Sequence, residues 1–156
     1  MRRALAGAAA AAALPALRNL AARALLQRNL ARLRAGDYGP VLRFDSRDVH
    51  LSFPGDSSWA GDFHGKQQLE PWLRRFVRVG LQIHADEIVV SGPPWRTTVC
   101  IRGHGHLSGD NGEQVYENRY VIWGRLAWGL LRDYEVYEDT QKSAALDDYL
   151  AAHGLG

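Results

Sequence analysis

The sequence predicts a single α+β domain, and three observations carry that reading. Helical periodicity is confined to the first half of the chain and its last dozen residues, strand-like runs crowd the second half, and the breaks between those runs are only a few residues long. Parallel strands would need crossovers of a dozen or more residues, so the late runs read as an antiparallel meander. At 156 residues the chain suits one domain, which at this size buries roughly 70% of its unfolded surface.

Residues 17–35 hold good helix formers and no proline, with Ala22, Leu26, Leu30 and Leu33 on one stripe and Asn29 beside it. Gly36-Asp37 stops this helix. A short helical turn over 41–44 leads into Asp48-Val49-His50-Leu51-Ser52-Phe53, whose period-two alternation marks a strand ended by Pro54-Gly55. A polar loop through Trp59 and Gly65 follows, then a helix over 67–79 with Leu69, Trp72, Leu73 and Phe76 at helical spacing. Four strands are expected at 81–91, 96–107, 114–126 and 130–138. Their breaks are Gly92-Pro93-Pro94, the segment 108–112, and Trp128-Gly129. Thr140 is placed to N-cap a last helix carrying Leu146, Tyr149 and Leu150 on one face.

Charge and composition exclude several functions. The net charge of +2 divides into +7 over residues 1–36, which hold seven arginines and no acid, and −5 over the rest. The folded body is therefore acidic, and no basic stripe interleaved with aromatics marks a nucleic-acid surface. The single cysteine, Cys100, excludes an intramolecular disulfide and a multi-cysteine zinc site. No run of about 18 strongly apolar residues is present, so no membrane span is expected. Residues 1–16 read as a frayed Ala/Arg-rich leader before a domain at 17–153, with a cytoplasmic protein expected. The Arg2-Arg3 start and the short apolar run after it leave an export signal as the alternative.

Five strings fall in an order that resembles the nuclear transport factor 2-like superfamily, in particular its SnoaL-like branch. They are Leu33-Arg34-Ala35-Gly36-Asp37, Asp48-Val49 through Pro54-Gly55, Asn118-Arg119-Tyr120-Val121, Gly129, and Tyr137-Glu138-Asp139-Thr140. The resemblance covers about residues 17–153. It implies a cone-shaped, curved antiparallel sheet wrapped by N-terminal helices, a cystatin-like roll with a deep pocket, and a homodimer through the sheet. Isomerases, epoxide hydrolases, polyketide cyclases and non-catalytic scaffolds share that superfamily, so the fold leaves function open.

Compared residue by residue, the chain departs from two enzyme designs. Ketosteroid isomerases are similar in element order, but the position of their oxyanion tyrosine holds Asn29 and that of their base holds Phe53. Their acid donor falls on Val121 or Asn118. Limonene epoxide hydrolases resemble the segment Arg102-Gly103-His104, where histidine replaces an acid, and spacing puts Val136, not Asp133, at the catalytic acid. A SnoaL-type proton-transfer set is still available. Cys100, Arg102, His104 and His106 share one face of a strand, Asn118 and Tyr120 share a face of the next, and Leu130, Arg132, Tyr134, Val136 and Glu138 are expected to face inward.

The expected catalytic cluster is His104, Asn118 and Tyr134, with Asn29, Phe53, Trp72, Arg102, Tyr120 and Glu138 contacting the ligand. The bland readings stand beside it: a satisfied buried amide for Asn29, a rim histidine for His104, an ion pair with Glu117 for Arg102, and wall residues for the tyrosines. His104-Gly105-His106 raises a metal with His84 or His50 as third ligand, yet no further metal-ligand spacing supports it, so neither metal nor cofactor is expected. Two functions follow. One is a cofactor-independent acid–base enzyme, of cyclase, isomerase or hydrolase type, acting on a small apolar organic molecule. The other is a non-catalytic ligand-binding or dimerisation module.

Overall fold

A computed structural model describes residues 2–155, with side chains over 14–155. Helix α1 (Arg2–Arg34) is followed by α2 (Gly39–Phe44), strands β1 (Asp45–Phe53) and β2 (Gly61–His64), and helix α3 (Lys66–Val79). Then come β3 (Gln82–Ser91), β4 (Thr97–Ser108), β5 (Gln114–Ala127), β6 (Leu130–Glu138) and α4 (Thr140–Ala152). The six strands form one sheet in the order β2-β1-β6-β5-β4-β3.

The four late strands pair antiparallel, as their short connections require. Two features were not expected. The pairing of β1 with β6 is parallel, which makes the sheet mixed. Strand β2, inside what reads as a polar loop, pairs antiparallel with β1 and adds an edge. The helix expected from residue 17 runs on a backbone that is already helical at Arg2. Met1 and the side chains of 1–13 lie outside the described residues, so the character read for the leader does too. The cap of α4 is one residue earlier than expected: the Asp139 carboxylate accepts from the Gln141 N–H at 3.1 Å.

Helix α3 buries Leu69, Leu73, Phe76 and Val79 against the sheet. Each such side chain contributes about 1.5–3 kcal/mol on leaving water. Helix α1 buries Leu26, Leu30 and Leu33 and packs along β3. There the Arg34 guanidinium donates to the Ile83 carbonyl at 2.9 Å. Together α1, α3 and α4 cover one face of the sheet and leave the other open. No helix of the described residues is long and apolar enough to cross a membrane.

Candidate functional site

The inner face of β4 carries Val99, Ile101, Gly103, Gly105 and Leu107. Two glycines there are forced by the neighbouring strands. A Cβ on Gly103 would lie 2.0 Å from the His84 carbonyl oxygen and 2.6 Å from the Tyr120 hydroxyl. Tyr120, the Cα partner of Gly103, lays its ring across this bare backbone, and its hydroxyl donates to the His84 carbonyl at 2.9 Å. Next to it, Gly105 lies opposite Asn118. Residues from β1, α3, β3, β5, β6 and α4 close around the space so formed, leaving a cavity of about 80 Å³, room for roughly two or three waters.

One end of the cavity is aromatic. Trp59 meets Trp72 edge-on at 5.9 Å, Trp72 stacks on Phe76 at 5.7 Å, and Phe53 tilts against Trp72 at 5.9 Å. The Trp72 indole donates to the Trp59 carbonyl at 3.0 Å, and the Arg75 guanidinium sits 4.1 Å over the Trp59 ring. The indole N–H of Trp59 is buried without a partner among the described residues.

The other end is polar and forms where β6 turns into α4. The Ser143 hydroxyl donates to the Glu138 carboxylate. The Tyr116 hydroxyl lies 3.4 Å from Ser143 Oγ, and the Asn118 amide donates to the Asp139 carbonyl at 2.9 Å and to Ser143 Oγ at 3.4 Å. Burial pushes the Glu138 carboxyl above its ordinary value; the Ser143 bond opposes this and the Asp139 charge adds to it. Burial likewise raises the Tyr116 phenol, against its Ser143 and Asn118 bonds and with the help of Glu138 and Asp139. The arrangement places two titratable groups on one serine hydroxyl at the edge of an apolar hollow.

Of the residues expected at the site, Phe53, Trp72, Asn118, Tyr120 and Glu138 line the cavity. The convergence of His104, Asn118 and Tyr134 is not formed. His104 is paired with Arg119 on the face opposite Asn118, half-exposed, with its Nδ1 3.0 Å from an Asp86 oxygen. Arg102 shares that outer face and pairs with Glu87 at 3.2 Å, not with Glu117. Tyr134 does face inward but packs under Gly124 and beside Asp45, away from the cavity. Asn29 is buried outside the cavity, and its amide nitrogen has no partner among the described residues. Leu130 and Arg132 do not point inward. A register shift between Arg125 and Leu126 turns Arg132 out to Asp48, at 2.8 Å, and makes Leu131 the buried residue.

Sequence reasoning missed Tyr116, Ser143 and Trp59. Tyr116 has the parity of Asn118 and Tyr120, which was a usable signal, and Ser143 shares a helical face with Leu146 and Leu150. Elsewhere in the core, Asp45 is 1% exposed with neither carboxylate oxygen bonded among the described residues, and burial pushes its carboxyl up to about 7, against the pull of Lys66.

No protein family matches the chain by sequence, and no curated protein does either. Solved structures match strongly. A nuclear transport factor 2-like protein from Burkholderia pseudomallei superposes with a TM-score of 0.67 at 19% identity, over 81% of this chain and 96% of that one. PrhC from Penicillium brasilianum gives 0.68 at 15% identity, over 86% and 90%. TerC, co-crystallised with polyporic acid, gives 0.62 at 17% identity, over 86% and 96%. At these identities the likeness is one of architecture, and the chain has the nuclear transport factor 2-like, cystatin-like α+β fold.

Proposed function

We propose that this chain is a SnoaL-like, cofactor-independent acid–base enzyme of the cyclase or isomerase type. Its substrate is a small, mostly apolar organic molecule that carries an enolisable or phenolic oxygen. The observation that carries the proposal is the coupling of Glu138 and Tyr116 through Ser143 at the rim of an aromatic cavity. A buried carboxyl whose proton is held more tightly than usual is the kind of group that takes and returns a proton in acid–base catalysis. Asn118 positions Ser143, and the unpartnered Trp59 indole offers a donor for a ligand oxygen. TerC, of the same fold, was co-crystallised with polyporic acid, an organic ligand, which is compatible with this class.

One observation favours the non-catalytic reading. The Asn118 amide, the Ser143 hydroxyl and the Glu138 carboxylate all have protein partners, so the cluster also works as a tie between β5, β6 and α4. Hydrogen–deuterium exchange into 2-indanone, followed by NMR, separates the two. Proton-transfer catalysis requires accelerated exchange by the wild type and a loss of about 100-fold in Glu138→Gln. Binding of 2-indanone with no acceleration by the wild type assigns the domain to ligand binding.

A homodimer through the open face of the sheet belongs to the same proposal. It is supported by exposed Val89, Trp123 and Tyr137, which lie on that face. Sedimentation of Trp123→Glu against wild type tests it, with a shift toward monomer expected.

A further inference from the structure

At the edge of the sheet farthest from β3, the β1–β2 hairpin presents three metal-type ligands on its outer face. Asp62 and His64 stand two residues apart on β2 and so project to the same side. His50 on β1 is the direct Cα partner of His64. The two imidazoles stack at 4.4 Å with planes 4° apart. One Asp62 oxygen meets His50 Nε2, and the other lies 3.1 Å from His64 Nε2. One ligand atom from each of the three residues falls within 4.8 Å of the others.

We propose that His50, Asp62 and His64 bind one divalent transition-metal ion of the zinc kind. Two imidazole nitrogens with one carboxylate oxygen suit such a borderline ion. Calcium and magnesium prefer all-oxygen sets. Three protein ligands leave a tetrahedral ion one position for water or a fourth group.

The backbone that carries the ligands is held independently of them. The His64 N–H donates to the Gln68 side chain at 2.8 Å, and the Gly65 N–H donates to the Val49 carbonyl at 2.7 Å. Between the two β2 ligands, Phe63 points inward and packs on Trp72 at 6.2 Å. The surroundings favour a cation: Asp133 and Glu135, Cα partners of His50 and Ser52 on β6, lie on the same outer face, with Arg125 engaging Asp133. A bound ion would pin the four-residue edge strand β2 to β1, adding to a ladder of only four paired positions.

Histidines 84, 104 and 106 form a second stack at the opposite edge of the sheet, with ring centroids at 5.0 and 5.4 Å from His84. They make the necessary control. Calorimetric titration of the full chain with zinc chloride near neutral pH is expected to show one equivalent taken up at micromolar concentration. His64→Ala and Asp62→Asn should each weaken uptake about tenfold or more, while His84→Gln with His106→Gln leaves it unchanged and magnesium gives no uptake. Circular dichroism confirms that His64→Ala is folded. Absence of zinc uptake overturns the proposal, as does uptake that survives His64→Ala or is lost in the His84/His106 variant.

Discussion

Along one strand, β4, alternate residues meet two different worlds. Inward, Gly103 and Gly105 give up their side chains so that Tyr120 and the cavity can lie against bare backbone. Outward, Arg102 and His104 reach carboxylates in partial solvent. The carboxyl groups follow the same division. Inside, burial lifts Asp45 and Glu138 above their ordinary range. Outside, hydrogen bonds from His50 and His64 hold Asp62 below it. The inner face therefore favours the protonated form of an acid, and the outer face favours ions and ion pairs.

The largest effect expected from this contrast is in stability against pH. The Asp45 carboxyl titrates at about 7 in the folded chain, against 3.8 ordinarily. Protonated Asp45 thus favours the folded state fully below its unfolded pKa, and that contribution drains away as pH rises through the folded value. The loss is worth about 4 kcal/mol across the window. Urea unfolding should show Asp45→Asn gaining on wild type as pH rises from 4 to 8. Parallel pH profiles for the two proteins would show that Asp45 ionises freely.

Backbone crowding on the inner face comes next. Gly103→Ala should cost roughly 3 kcal/mol of unfolding free energy in urea denaturation, because its Cβ meets a strand carbonyl that cannot rotate away. Gly105→Ala, whose Cβ would be 3.5 Å from its nearest neighbours, should cost far less. Equal costs would mean that the Tyr120 ring does not lie where described. The smallest effect belongs to the outer face. His104→Ala should change stability by no more than about 0.5 kcal/mol and leave 2-indanone binding untouched; a loss of binding would return His104 to the site.

Much of this fold was legible in the sequence. Turn residues at 92–94, 108–112 and 128–129 bound the four late strands to within a residue or two, because glycine and proline break ladders for local reasons. Strand parity was legible too, but the choice of face was not. On β4 the inner positions 103 and 105 are glycines, so the apolar signal that marks a core face vanishes just where the cavity opens, and the histidines take its place in the pattern. The bulge that turns Arg132 outward leaves no local mark. Strand β2 has only Phe63 to announce it, one apolar residue in four. Helical spacing puts Ser143 on the buried face of α4 with Leu146 and Leu150, but which strand that face meets is set by tertiary packing.

The five tryptophans offer the most direct test that a ligand occupies the inner cavity. Trp59 and Trp72 line it, whereas Trp95, Trp123 and Trp128 are exposed. In a nitrogen–proton correlation spectrum titrated with 2-indanone, the indole signals of Trp59 and Trp72 should move together while the other three stay fixed. Movement confined to Trp95, Trp123 or Trp128 would put the ligand on the surface and contradict the account.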